Sequence, residues 1–327
     1  MLLSDCSRAE IEARLDGEGV GLDLGAARVR VRSDCAALAG ALQHVYADFE
    51  ADSATGFFDV TAALTRRRGL RRVVARQVEF VVDGARPFEP FPADTHLPLL
   101  EWGLNWCLAN RCGQHLLLHA GVVEKHGLAL VLPAIPGSGK STLTAALMLH
   151  GYRLLSDEFG VVRLYDGELL PMLRPIALKN ESIGIIASRH PSARRGPEFP
   201  RTRKGTVSHL APSADSVRFR HVPATPALVL FPRYVAGAPL LLERIPQVKA
   251  FAKLAINSFN YESMGVVGFD AVSRLVARCP CYRLSYADLD AALAAIDELV
   301  SETLSQRRAQ APSGGESRAA AVASLPS

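Results

Sequence analysis

The sequence predicts an α/β fold, and three features of its 327 residues indicate this class. An apolar run at 128–132 has the composition of a buried strand. A glycine-rich loop at 134–141 and a helical apolar pattern at 142–150 follow it, and a second short apolar run comes at 152–155. If the two strands are parallel, the helix is a right-handed crossover and both strands end at one edge of an open sheet.

A smaller α+β domain is predicted in front of this unit, over residues 1–114. Apolar alternation marks its strands, and apolar residues at helical spacing mark its helices. The predicted elements are a strand around Val29 and Val31, a helix with Leu38, Ala41, Leu42 and Val45 that Ser33 and Asp34 cap, strands at 57–64 and 78–82, and a helix at 96–108. The basic run at 66–72 is interpreted as a solvated loop or as a patch for an acidic peptide or protein.

The main domain is predicted over 115–304. Its further elements are a strand at 115–123, a hairpin at 161–170 that turns at Asp166 and Gly167, strands at 227–231 and 240–242, and a helix at 248–259. The last helix is expected to begin with a capping box formed by Ser285 and Asp288. Its apolar stripe consists of Leu289, Leu293, Ile296, Val300 and Leu304. Residues 305–327, rich in Ala, Ser, Gly and Pro, are predicted to form a disordered tail.

Proline and positive charge are concentrated at 187–220, and this composition predicts a mobile loop rather than a packed segment. Loops of such length are usually functional or disordered. Two interpretations follow, a lid that closes over a substrate and a solvated insertion without a role. The cations that a lid would use are Arg194, Arg195, Arg201, Arg203 and Lys204.

The glycine-rich loop has the composition of a phosphate-binding loop. Glycines let backbone N–H groups curl around phosphate oxygens, and the following helix adds the positive end of its dipole. Lys140 would reach the outer phosphates of a nucleotide, and the Ser141 hydroxyl would contact Mg²⁺. Ala134 replaces the first glycine of the usual pattern, and the alternative is a glycine-rich turn that only caps a helix. The predicted nucleotide-binding residues are Pro136, Gly137, Ser138, Gly139, Lys140, Ser141 and Thr142.

Two acidic residues, Asp157 and Glu158, follow the second strand of this unit. At the carboxyl end of a strand beside a phosphate loop, a carboxylate can hold Mg²⁺ or accept a proton from an attacking hydroxyl. The alternative is an acid that caps the next turn. Arg174 and Lys179, further along the chain, are cations that could meet phosphates or the substrate.

Several segments around the loop occur together in a known kinase family. Leu118-His119-Ala120-Gly121 precedes the loop by one hairpin, and Leu155-Ser156-Asp157-Glu158 follows its helix. With 101–107, 174–180 and 205–210, they resemble the HPr serine kinase/phosphorylase family over most of the chain, and most closely its HprK-related kinase A branch, which is linked to peptide modification. The resemblance implies an HPr-kinase-like P-loop nucleotide-binding domain preceded by the smaller α+β domain.

The resemblance also implies roles for individual residues. Asp157 takes the position of the general base, and Glu158 takes the second acidic position and, with Ser141, would hold the metal. His119 takes the position of a histidine near the reacting phosphate, although a histidine on an apolar strand is also often a core residue. The chain differs from the family where Glu158 replaces an aspartate and where Lys179 replaces a metal-binding glutamate, with Glu181 the nearest acid. HPr as substrate and the reverse phosphorylase activity therefore stay open.

Composition restricts the partners and the compartment. A net charge of +4 does not by itself indicate a nucleic-acid partner, and no apolar run has the length of a membrane span. Six cysteines without a C-x-x-C pair predict reduced core thiols, and the N-terminal sequence is not that of a signal peptide. We therefore expect a cytoplasmic protein with neither a membrane nor a nucleic-acid partner.

The predicted function is that of a kinase that uses ATP and Mg²⁺ to phosphorylate a serine hydroxyl on a peptide or protein. Positioning and charge neutralisation dominate such a transfer. The alternatives are a small-molecule kinase and a non-catalytic nucleotide-binding module of a peptide-modifying assembly. The acceptor, the donor among ATP, GTP and pyrophosphate, and the oligomeric state, including a homo-oligomer, stay open.

Overall fold

The computed structural model describes residues 1–51, 56–67, 76–133, 135 and 137–310. In the first part of the chain, helices pack on a five-stranded sheet of order β1-β2-β3-β4-β5, in which only β2 and β3 are parallel neighbours. The elements are α1 Arg8–Asp16, β1 Val20–Asp23, β2 Arg28–Ser33, α2 Ala36–Val45, β3 Val60–Arg66, β4 Gln77–Val82, β5 Phe91–Pro92 and α3 His96–Arg111. This part of the chain contains both helices and strands.

The rest of the chain forms an eight-stranded and a three-stranded sheet with helices around them. The elements are β6 His115–Lys125, β7 Leu128–Pro133, α4 Lys140–Leu149, β8 Arg153–Ser156, β9 Phe159–Arg163, β10 Leu169–Leu170, β11 Ile176–Lys179, α5 Glu181–Arg189, β12 Phe199–Thr202, β13 Gly205–Leu210, α6 Ala214–Arg218, β14 Thr225–Tyr234, β15 Leu241–Arg244, α7 Gln247–Ile256, α8 Tyr261–Met264, α9 Val266–Arg278, β16 Cys281–Tyr286 and α10 Leu289–Gln310. The protein is a mixed α/β fold, as predicted.

The large sheet has the order β10-β9-β6-β7-β14-β16-β15, and β8 also pairs with β6. β6 is antiparallel to both β7 and β8, so these two strands run in the same direction on either side of it. β14 pairs in parallel with β7, and β16 pairs in parallel with β14. The carboxyl ends of β7, β8, β14 and β16 therefore meet at one edge, where open sheets bind ligands.

Helix α4 lies unusually close to this sheet. A Cβ atom on Gly121 of β6 would stand 2.3 Å from Thr144 Oγ1 on α4, so only a glycine fits between them. Thr144 Oγ1 donates to the Lys140 carbonyl at 2.9 Å. This bond lies within α4, whereas the close approach at Gly121 sets how near the helix comes to the sheet.

The apolar core is continuous across the predicted boundary at 114. A single cluster contains Leu38 and Leu100 from the first part together with Leu117, Leu130 and Leu143 from the second. Arg174 adds a buried polar link, because its guanidinium donates to the side chains of Glu101 and Asn105. Tyr46 donates to Glu101 at 2.7 Å. The two parts therefore pack as one unit around this network.

The prediction of a mobile loop at 187–220 is wrong. The segment contains β12, β13 and α6, and β13 joins β11 and β12 in the three-stranded sheet. Two of its cations meet acids that are distant in sequence, since Arg194 pairs with Asp48 at 2.9 Å and Arg201 pairs with Asp94. The composition of the segment alone did not show this pairing, because both acids lie far from it in sequence, in the first part of the chain.

Two predicted caps are also wrong. Ser285 belongs to β16, where it pairs with Leu241, and Asp288 alone caps α10 by accepting from the backbone of Asp290 at 2.8 Å. For α2, the Ser33 hydroxyl lies inside the paired end of β2 and donates to the Leu64 carbonyl. Both serines lie in paired strands and therefore do not cap a helix.

The ends of several elements differ from the predicted bounds. Helix α10 continues past the expected end at 304, and Arg307 in its last turns donates to the Pro226 carbonyl at 2.9 Å. Residues 311–327 of the predicted tail and 68–72 of the basic run lie outside the described residues. Neither helix α9 nor strand β16 is predicted from the sequence. None of the helices in the described ranges combines the length and the apolar content that a bilayer crossing needs.

His209 on β13 makes the stability of the fold depend on pH. Its side chain is buried, and this burial, followed by the charges of Arg174 and Lys179, lowers its pKa to about 3. The unfolded chain therefore binds a proton below about pH 6.5 that the folded protein excludes. We expect stability to fall as the pH drops from 6.5 toward 3, by up to about 1.4 kcal/mol per pH unit from this group.

Urea denaturation between pH 7.5 and 5 measures this effect. His209→Phe keeps a ring in the pocket without a titrating group and should have a shallower pH slope of unfolding free energy than the wild type. His126→Asn changes a histidine in an exposed turn and is the matched control. Equal slopes for the wild type and His209→Phe would contradict the prediction.

Candidate functional site

The glycine loop, residues 134–141, connects β7 to α4 at the shared edge of the large sheet. Gly137 and Gly139 have φ of +84° and +86°, a left-handed backbone that favours glycine. A side chain at Gly139 would also be tightly packed, since a Cβ there would stand 3.1 Å from both Tyr234 Cβ and the Tyr286 hydroxyl oxygen. Ala134 and Pro136 lie outside the described residues.

Backbone N–H groups at the start of α4 are available to a ligand. The helix begins at Lys140, and within the described part of the chain no side chain caps it. The Ser138 side chain is buried, and its hydroxyl has no hydrogen-bond partner among the described residues. A loop of this kind offers uncapped donors and the positive end of a helix dipole to an anion.

A cleft of about 1130 Å³ opens over the loop. The six predicted loop residues that the structure describes, 137–142, all line it, as do His119 and Glu158. In sheet order, β6 and β8 with His119 and Glu158 lie on one side of β7, and β14 and β16 lie on the other. Of the predicted site residues that the structure describes, only Asp157 does not line the cleft, because it is buried against Lys140. The others gather around one cavity.

Lys140 forms a buried ion pair with Asp157. Its ammonium donates to Asp157 Oδ1 at 3.0 Å and also to the Asp157 backbone carbonyl. Both side chains are buried, so each charge depends on the other for compensation. Lys140 also lines the cleft, so a phosphate bound there would compete with Asp157 for its ammonium.

Glu158 faces the cleft beside His119, with His119 Nε2 and Glu158 Oε1 3.6 Å apart. Burial lowers the pKa of His119, and the nearby Glu158 only partly offsets this effect. Burial would raise the pKa of Glu158, but the positive charges around it, Lys140 first, outweigh this effect and hold the pKa below its ordinary value. At neutral pH the pair is therefore a carboxylate next to a neutral imidazole.

The turn that carries the two acids is held by a different residue. Ser156 Oγ accepts from the backbone of Glu158 at 3.3 Å and of Phe159 at 3.0 Å. The alternative in which Asp157 or Glu158 serves as the cap is therefore not what the structure has. Because adjacent side chains leave this turn in different directions, Asp157 meets Lys140 while Glu158 meets His119.

Of the two cations suggested near the phosphates, only Lys179 lines the cleft. Burial, followed by repulsion from Lys204, lowers its pKa. Of the five cations named for a lid, Lys204 alone lines the same cleft, and Arg189 at the start of the basic segment lines it too. Arg174 is buried against Glu101 and does not serve as a cleft cation.

The donor set suits a magnesium ion better than a structural metal. Ser141 and Glu158, the predicted ligands, both line the cleft. Among the described residues no group of three His, Cys, Asp or Glu side chains could hold a metal ion. Mg²⁺ needs no such group, because it keeps several waters and binds one or two carboxylates together with phosphate oxygens.

Sequence reasoning missed two tyrosines of the cleft. Tyr234 and Tyr286 end the parallel strands β14 and β16 and line the cavity beside the loop. The signal that could have found them is their place at the carboxyl ends of strands parallel to β7. This signal is not found from the sequence, because the predicted strand of β14 ends at 231 and no strand is predicted for β16.

Comparison with known proteins adds no assignment. No protein-family model matches the sequence, and no curated protein matches it either. The case for function consequently depends on the residues and geometry of the cleft.

Proposed function

We propose that this protein is an HPr-kinase-like P-loop enzyme that transfers a phosphoryl group from ATP to a serine hydroxyl of a peptide or protein. The observation that carries the proposal is that the glycine loop, Lys140 and Glu158 line one cleft, with Asp157 buried directly against Lys140. Uncapped loop amides and a nearby lysine support phosphate binding, and two acids with different partners support separate chemical tasks.

Phosphate binding would begin with Lys140. In the proposal its ammonium exchanges Asp157 for the outer phosphates, where the loop amides and the dipole of α4 already favour negative charge. Mg²⁺, held by Ser141, Glu158 and phosphate oxygens, would supply further neutralisation of the charge on the transferred group. The residues of the chain thus bind and orient the donor before transfer.

Transfer would then use the carboxylate that Lys140 releases. The serine oxygen forms a new bond to the γ-phosphorus, the bond to the β–γ bridging oxygen breaks, and ADP leaves with that electron pair. The hydroxyl proton passes to Asp157, which needs no neutral pKa because the proton can leave late in a loose transition state. Glu158, facing the cleft beside neutral His119, is the second candidate for this proton.

A peptide or protein acceptor is favoured by the surface next to His119. The His119 backbone donates to the Asn257 carbonyl at 2.6 Å, and the rings of His119 and Phe259 are 5.5 Å apart. This segment exposes apolar side chains, since Ile256 is 84% and Phe259 43% accessible. Exposed apolar groups beside a polar cleft suit a macromolecular partner better than a small polar metabolite.

The compartment is part of the same proposal. All six cysteines are buried free thiols, and burial raises the pKa of Cys107 and Cys112 to about 11. Such thiols suit a reducing compartment, and we place the kinase in the cytoplasm.

Incubation with γ-labelled ATP, Mg²⁺ and a panel of serine-containing peptides tests the function. The panel includes candidate precursor peptides encoded beside the gene, each with a serine-to-alanine partner as control. We expect label on the serine peptides only, located by mass spectrometry. Label on small metabolites without peptide would indicate a small-molecule kinase, and ATP binding without any transfer would indicate a nucleotide-binding module. Either result would contradict the proposal.

A further inference from the structure

One end of the cleft is aromatic. Tyr234 and Tyr286 are partners in the parallel register of β14 and β16, and their rings meet edge to face with centroids 6.0 Å apart. Tyr286 is 2% accessible and Tyr234 is 48% accessible. The Val235 backbone donates to the Tyr286 carbonyl at 2.9 Å, which ties the two strand ends together. The exposed Tyr234 ring therefore packs against the buried Tyr286 ring.

The aromatic pair is directly attached to the glycine loop. The Tyr234 backbone N–H donates to the Ser138 carbonyl at 2.9 Å. Gly139 passes so close to both tyrosines that any side chain at this position would contact them. Tyr234 therefore lies directly beside the backbone that would hold a phosphate.

The two sides of the cleft differ in their side chains. His119 and Glu158 lie on the side of β6 and β8, and Lys179 is close enough to Glu158 to lower its pKa. Asp288, two residues after Tyr286, also lines the cleft. The tyrosines occupy the side of β14 and β16, across the loop in sheet order. A nucleobase is flat and uncharged, so an aromatic face suits it better than the charged end does.

We propose that Tyr234 and Tyr286 form the nucleoside subsite of the cleft, in which the base stacks on the exposed Tyr234 ring and Tyr286 holds that ring in place. This inference rests on the proposed use of ATP and adds where the nucleoside part of ATP binds. It leaves the opposite end, with His119 and Glu158, to the acceptor hydroxyl. The subsite makes the protein distinguish a nucleoside triphosphate from inorganic triphosphate.

Calorimetric titration with Mg-ATP and with Mg-tripolyphosphate tests the subsite, because only the first ligand carries a base. The wild type should bind ATP more tightly than tripolyphosphate. Tyr234→Ala should weaken ATP binding about tenfold, within the range for a lost base–aromatic stack, and leave tripolyphosphate binding unchanged. Tyr234→Phe should keep the preference for ATP. Tyr165→Ala changes a tyrosine that is 76% accessible on the β9–β10 hairpin and is the matched control.

The outcomes separate the inference from the proposed function. Unchanged ATP affinity in Tyr234→Ala would overturn the inference alone, and so would an equal loss for tripolyphosphate, which would mean a disturbed loop. Retained tripolyphosphate binding shows that the variant is folded. A wild type that binds neither ligand would overturn the proposed function, and the subsite with it.

Discussion

Lys140→Met should lower the affinity for Mg-ATP at least tenfold, a loss of about 1.4 kcal/mol or more. The substitution keeps the length and apolar stem of the side chain but removes the ammonium that would contact the outer phosphates. Calorimetric titration of the wild type and the variant with Mg-ATP measures the effect. Equal affinities would remove the glycine loop from the proposed nucleotide site.

The same change should destabilise the ligand-free protein. Lys140 is the buried ion-pair partner of Asp157, at 3.0 Å. Without it, a carboxylate stays buried and uncompensated, and breaking a buried pair in this way costs about 3–5 kcal/mol. Urea denaturation of the ligand-free variant measures this loss.

A double variant separates the two effects of Lys140. Lys140→Met combined with Asp157→Asn leaves no unpaired charge, so it should regain most of the lost unfolding free energy. Its ATP affinity should stay low, because the ammonium is still missing. If stability and affinity recovered together, Lys140 would affect binding through the fold rather than through phosphate contact.

Asp157→Asn should reduce phosphotransfer by about 10²-fold or more, the usual scale for the loss of a general base. The amide keeps the size of the side chain but accepts no proton. Nucleotide binding should not weaken, because the neutral amide attracts Lys140 less strongly and leaves it free for the phosphates. Single-turnover transfer and calorimetry, run on the same variant, separate the chemical step from binding.

Glu158→Gln is the matched variant for this experiment, since it makes the same chemical change at the neighbouring residue. As a proposed magnesium ligand, Glu158 should affect the concentration of Mg²⁺ that transfer needs, and raising Mg²⁺ should restore much of the activity. Asp157→Asn should not recover in this way. The reverse pattern, with normal turnover in Asp157→Asn and an unrescued loss in Glu158→Gln, would transfer the base role to Glu158 beside His119.

Local chemistry made the central part of the site predictable. The strand, the glycine loop and α4 follow from an apolar run, from positions with positive φ at Gly137 and Gly139, and from apolar residues at helical spacing. Each of these signals acts between residues that are close in sequence. The predicted common direction of β7 and β8 also holds, although β6 lies between them.

Long-range contacts decided what the local signals missed. The basic segment is ordered by the pairing of β13 with β11 and β12, and two of its arginines meet Asp48 and Asp94, acids far away in sequence. Ser285 became part of a strand because Leu241 was available to pair with it. Tyr234 and Tyr286 became neighbours of the glycine loop only when β14 and β16 aligned in parallel beside β7.

Asp157 and Glu158 show most clearly which features follow from the sequence and which depend on the tertiary structure. The sequence by itself determined that Asp157 and Glu158 stand at the end of a strand beside the glycine loop, because that placement needs only the strand pattern and the chain order. The tertiary structure alone decided that Asp157 is buried against Lys140 and that Glu158 faces the cleft beside His119. Two adjacent residues on a turn point in different directions, and their partners come from α4 and β6, so the environment of each carboxylate depends on how the sheet and the helix pack.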